Sequence, residues 1–156
     1  MQSGRCACGE VEYRLTDSLL VTHACHCTWC QRESGTAFAL NGVIETSKLE
    51  LVKGKPVAVL LPSASGKGQE VLRCPSCQVA LWSHYAGAGQ ALAFVRLGTL
   101  DDTSHVAPDV HIFTSTKQPW LALPEGARAY PDYYRSADVL TPEAIARRKE
   151  ALERNG

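Results

Sequence analysis

The sequence predicts a mainly β fold of small sheets with one C-terminal helix. Three observations carry that expectation. Apolar and polar residues alternate through many short segments, the mark of half-buried strands. Gly, Pro, Asn and Ser clusters break those segments at short intervals. One stretch near the C-terminus carries helix signals at both ends.

Taken in order, "EVEYRL" places Val11, Tyr13 and Leu15 on one face. "TAFALNGVIE" is a short apolar run that reaches an Asn41-Gly42 turn signal. "KLELVKG" alternates Leu49 and Leu51 against charge and is closed by Gly54. "PVAVLL" follows, and then "PSASGKGQ", whose composition predicts an exposed loop. "EVLRC" and "VALWSHY" flank the last pair of cysteines. "ALAFVRLGTL" is the longest strand candidate and "DVHIFTS" the last. "TPEAIARRKEALERNG" has Thr141 as N-cap, Pro142 at the first helical position, Glu143 in the first turn and Arg154 in the last, with Asn155-Gly156 to end it. Its apolar face, Leu140, Ala144, Ile145 and Leu152, is thin. It would lie on the sheet or on a partner chain, as in a homodimer, or stand in solvent.

A chain of 156 residues is long enough to bury a core, and is divided here into a domain over 1–135 and a helical extension over 136–156. Its formal net charge is zero. Binding nucleic acid through phosphates calls for basic excess, so nucleic acid and anionic membranes are not expected partners. "MQSGRCACGE" lacks the apolar core of a signal peptide, and "PVAVLLP" is too short to span a bilayer. A cytoplasmic location is the expectation, where thiols stay reduced. The seven cysteines are an odd number and cannot all pair within the chain. Metal binding is the leading reading.

The cysteines form three groups: Cys6 and Cys8, then Cys25, Cys27 and Cys30, then Cys74 and Cys77. A tight C-x-x-C turn brings two sulfurs to the roughly 3.8 Å edge of a tetrahedral zinc site. An extended C-x-C puts both side chains on one face. Gly9 would let the backbone approach Cys8 closely. Cys74 and Cys77 need two further ligands, which one C-x-C pair can supply. Assigning Cys6 and Cys8 to them leaves Cys25, Cys27 and Cys30 as a trio. Three protein ligands and one open position is the pattern of catalytic zinc. Completion of the trio by His23 or His84 is the rival arrangement, and His26, between two ligands, should point away. An iron–sulfur cluster or a redox dithiol fits the spacing less well.

"GRCACGEVEYRL", "CHCTWCQRESGTAF", "RCPSCQVALW" and "HIFTSTKQPW", in that order, resemble the family of glutathione-dependent formaldehyde-activating enzymes and centromere-protein-V domains. The resemblance runs from about Gly4 to about Tyr134. It implies an Mss4-like arrangement of small β-sheets clamped by zinc. It also implies a structural zinc on Cys6, Cys8, Cys74 and Cys77 and a catalytic zinc on Cys25, Cys27 and Cys30. Two positions depart from the family's pattern. Gln78 stands where glycine is common after the last C-x-x-C. Cys30-Gln31-Arg32 stands where Cys-Arg-Arg is common, which removes one positive charge.

The activity so implied is that of a carbon–sulfur lyase, S-(hydroxymethyl)glutathione synthase-like, which joins glutathione and formaldehyde. A free thiol is mostly protonated at neutral pH, and a metal-bound one is not. Glutathione carries two carboxylates, for which Arg32 and Lys117 are the expected cations and Ser34-Gly35 the expected source of backbone donors. Trp29, Trp82 and Trp120 line the cleft or pack elsewhere. The alternatives are a zinc enzyme with a different substrate and a non-catalytic protein-interaction module.

Overall fold

The alternating segments become strands of two sheets. The computed structural model describes residues 1–155. In chain order the strands are β1 (Gln2–Arg5), β2 (Glu12–Leu15), β3 (Val21–Cys25), β4 (Ala39–Glu45), β5 (Leu49–Lys53), β6 (Val57–Leu61), β7 (Gln69–Arg73), β8 (Ala80–Tyr85), β9 (Leu92–Arg96) and β10 (Val110–Ile112). The helices are α1 (Thr28–Ser34), α2 (Ser136–Val139) and α3 (Pro142–Arg154). A three-stranded sheet runs β1-β2-β5, and a seven-stranded sheet runs β10-β3-β4-β9-β8-β7-β6. All named pairings are antiparallel except that of β10 with β3.

Period-two alternation gives the larger sheet two different faces. On one, Ile44, Ala93 and Val95 pack with Tyr13 and Leu15 of the smaller sheet, together with the adjoining Val11 and Leu97 and with Cys6 and Cys74. On the other, Val21, Cys25, Val43 and Leu92 pack beneath Tyr134, Leu140, Ala144 and Ala151 of the C-terminal segment. Each fully buried large apolar side chain contributes about 1.5–3 kcal/mol.

Two expectations meet the structure differently. β4 runs straight through Asn41-Gly42. The Asn41 side chain accepts from Arg96 Nη1 at 2.6 Å. A Cβ at position 42 would stand 2.7 Å from side-chain carbons of both Leu19 and Leu97. The glycine therefore serves close packing between layers, not a turn. The longest strand candidate yields only Leu92–Arg96 before a 3-10 turn at Leu97–Thr99.

The C-terminal helix forms as its caps predict, with Thr141 Oγ1 accepting from Ala144 N at 3.1 Å. It lies on the sheet. Arg147 holds it there, donating to both carboxylate oxygens of Glu45 at 2.8 Å and to Ser18 O at 3.0 Å. Gly156 falls outside the described residues. No helix among the described residues is long and apolar enough to cross a membrane.

Candidate metal centres

Cys6 and Cys8 lie in the turn between β1 and β2, and Cys74 and Cys77 in the turn between β7 and β8. Their four sulfurs lie within 4.8 Å of one another. Cys8 Sγ stands 3.6 Å from both Cys6 Sγ and Cys74 Sγ, close to the roughly 3.8 Å edge of a zinc–thiolate tetrahedron. The two turns repeat one design. Gly9 N donates to Cys6 O at 3.2 Å and Gln78 N to Cys74 O at 3.1 Å. Both residues take the left-handed region, at φ 75° and 63°. Nothing lies within 4 Å of where a Gly9 Cβ would be, so glycine supplies the dihedral there and not a close approach. Val11 N donates to Cys6 Sγ at 3.3 Å. The N–H groups of Val79 and Cys8 hold the Cys77 thiol down to about 6. Four thiol donors with N–H groups turned toward them fit a structural zinc.

The trio forms where β3 gives way to α1. Cys25 ends the strand, and Cys27 is the helix N-cap, its sulfur accepting from Cys30 N at 3.3 Å. All three are buried, with sulfurs mutually within 4.8 Å. Thiol hydrogen bonds from Cys25 and Cys30, with backbone N–H groups of Cys30 and Trp29, hold the Cys27 thiol far below its usual range. The same cluster pushes Cys25 far up. Three cysteine sulfurs, each able to give up its proton to a bound metal, are a soft donor set that fits zinc. Among the described residues no histidine or carboxylate joins it. His84 Nδ1 donates to Leu92 O at 2.9 Å. His26 is turned to His111, Nε2 to Nδ1 at 2.9 Å.

The trio faces a cavity of about 560 Å³. Alternate strand residues form its floor: Val21, His23 and Cys25 of β3, Asn41 and Val43 of β4, Leu92 and Phe94 of β9. Its cover comes from Tyr133, Tyr134, Leu140 and Arg148 of the C-terminal segment and from the loop over 63–67. That loop is not wholly exposed, since Ser63 is buried. His23 Nε2 is hydrogen-bonded to Tyr134 Oη at 2.5 Å. Burial lowers His23 to about 4 and raises the Tyr134 phenol, so both are neutral near pH 7.

Arg32, Ser34 and Lys117 do not line this cavity. Arg32 is exposed, its guanidinium carbon 5.7 Å from the Trp29 ring centre. Ser34 Oγ turns back to donate to Cys30 O at 2.7 Å. Lys117 Nζ is taken up by the carbonyls of Gln118 and Leu121. Of the tryptophans, Trp29 lines the cavity, Trp82 is buried in the other core, and Trp120 is exposed. The sequence offers His23 only as a ligand and gives no role to Tyr134 or Arg148, both of which line the cavity. The Tyr133-Tyr134 doublet in an otherwise polar stretch was the available signal.

Comparison with known proteins adds an independent line. The sequence profile described as glutathione-dependent formaldehyde-activating enzyme matches residues 1–116. A Talaromyces marneffei protein is 24% identical over 143 residues, covering 90% of this chain and 75% of that protein. An Emericella nidulans protein is 32% identical over 79 residues, covering 49% of this chain and 38% of that protein. Both are provisionally named glutathione-dependent formaldehyde-activating enzymes. A crystal structure of a Rhodobacter sphaeroides protein aligns with a TM-score of 0.49 at 21% identity, covering 68% of this chain and 91% of that one. The profile spans well over half of the chain and takes in every cysteine of both clusters, so the chain belongs to the glutathione-dependent formaldehyde-activating enzyme family.

Proposed function

We propose that the chain adds a thiol to an aldehyde carbon, with glutathione and formaldehyde as the pair, and that both cysteine groups hold zinc. One observation carries the reading. Three thiols sit at the wall of a cavity with no fourth protein donor among the described residues. Cys6, Cys8, Cys74 and Cys77 would hold the structural ion, and Cys25, Cys27 and Cys30 the second. Zinc bound at the trio would supply a Lewis acid that favours the thiolate form of a bound thiol.

The balance of the addition is simple. The S–H bond breaks, an S–C bond forms, and the carbonyl becomes a C–O–H. No oxidant or reductant is needed. The chain's part is to shuttle one proton and exclude water. His23 lies on the same face of β3 as Cys25 and is hydrogen-bonded to Tyr134 Oη, so its neutral ring can relay the thiol proton toward Tyr134 as it is taken up, without resting in the charged form that burial disfavours. Tyr134 keeps its proton and can donate it at Oη to the developing oxyanion. The aromatic walls keep the site dry.

The test measures zinc per chain and the rate of adduct formation. Two zincs and an accelerated reaction are expected in the natural chain. Cys27→Ser should keep one zinc and lose the acceleration. Wild-type rates in that variant, or no acceleration by the two-zinc protein, would overturn the reading.

A further inference from the structure

The cavity is lined by two cations and no carboxylate. The cations are Arg148 on α3 and Lys67 on the exposed loop. Arg148 is the unusual one. Ala144 and Ala151 lie four residues before it and three after, and both are buried against the sheet. That spacing puts Arg148 on the inward face of the helix. Its neighbour Arg147 is fully engaged with Glu45 and Ser18. Arg148 itself is half-buried and makes no ion pair or hydrogen bond with any described residue. It lines the same cavity as Tyr133 and Tyr134 of the aromatic cover.

A partly desolvated guanidinium without an acceptor is costly, and an arriving anion relieves that cost. Its planar fork fits a carboxylate with two parallel hydrogen bonds. The Arg147–Glu45 clamp sets the helix before any ligand arrives, so little ordering remains to be done.

We propose that Arg148 is the anion-binding residue of the cavity, and that the cavity's ligand presents a carboxylate to it while its body lies against Phe94, Phe113 and Tyr85. Lys67 adds a second, exposed positive charge at the mouth. The proposal rests on the thiol reading only for the other end of the ligand.

Calorimetric titration of the zinc-loaded chain tests it with three probes: glutathione, glutathione diethyl ester, which has no free carboxylate, and 3-phenylpropionate, which has no thiol. Wild type should bind glutathione on the order of ten- to a hundred-fold more tightly than the diester. Arg148→Gln should remove that difference and weaken 3-phenylpropionate equally, and Arg148→Lys should restore part of it. Equal wild-type affinity for glutathione and its diester overturns the proposal, whether or not the variant folds. Unchanged carboxylate binding in a folded, zinc-loaded Arg148→Gln chain also overturns it. If glutathione binds without regard to Arg148, the thiol reading stands and this proposal falls. If glutathione does not bind but 3-phenylpropionate does, through Arg148, the proposal stands and the thiol reading falls.

Discussion

Gln78 carries a conformation that its neighbours in the turn compensate. Its φ of 63° lies in the left-handed region, where a side chain costs about 1–2 kcal/mol. The amide recovers part of this by donating Nε2 to Pro75 O at 2.8 Å, while Arg73 donates to Gln78 O at 2.8 Å. Gln78→Gly should therefore stay within about 1 kcal/mol of wild type, and Gln78→Val should lose about 2 kcal/mol. Urea unfolding with zinc in excess measures both. Gln31 is accounted for as well. It donates to His26 O and Thr116 O and accepts from Gln118 Nε2, tying α1 to the turn after β10. A second single-residue expectation concerns Cys27. In metal-free chain it should alkylate at pH 5, where Cys25 and Cys30 do not, since their thiols donate to it. Equal labelling of all three by mass spectrometry would contradict that.

At the scale of elements, α3 is held by its cap and by Arg147, which pairs with Glu45 at 2.8 Å and with Asp17 at 3.7 Å. The Glu45 side chain is 8% exposed and that of Arg147 17%. Glu45→Gln leaves a largely buried guanidinium with only the more exposed Asp17 as counter-charge and should cost about 2 kcal/mol. Thr141→Ala should cost about 1 kcal/mol. Hydrogen exchange on the amides of α3 should accelerate in both, and more in the first. This helix was legible because its caps are local and read along the chain. The cysteine spacings were legible for the same reason. α1 was not, because seven residues without a strong apolar period look like a turn. Asn41-Gly42 misled because the same dipeptide serves a hairpin turn and a tight inter-layer contact, and only packing from Leu19 and Leu97 decides between them. Arg148 was hidden by its own charge, since a thin apolar face gives no reason to count an arginine within it.

For the whole molecule, the four-cysteine cluster bridges the two sheets, one pair from each. Structural zinc can supply on the order of 10 kcal/mol, as much as a domain's entire stability. Cys74→Ser should unfold the chain, while Cys30→Ser should leave it folded with the trio empty. Circular dichroism and zinc content distinguish these. Acid should act through His23. Its value of about 4 in the folded chain lies below the ordinary 6.5. The unfolded state therefore takes up the proton first. The stability from neutral His23 is complete above about pH 6.5 and is lost as pH falls toward 4, by on the order of 3 kcal/mol. His23→Asn should flatten the slope of unfolding free energy over that window.

The cover of the cavity has a consequence for how the chain is made. Every ligand of the inter-sheet cluster lies before residue 78, whereas Tyr134 and Arg148 come far later in the sequence. At about 5–20 residues per second, the ribosome leaves an interval of several seconds between the two. During it, the thiols of Cys25, Cys27 and Cys30 face the surroundings without their roof. A growing chain thus carries the trio without this part of its cover until its last helix emerges, so reducing conditions protect it during synthesis as well as afterwards.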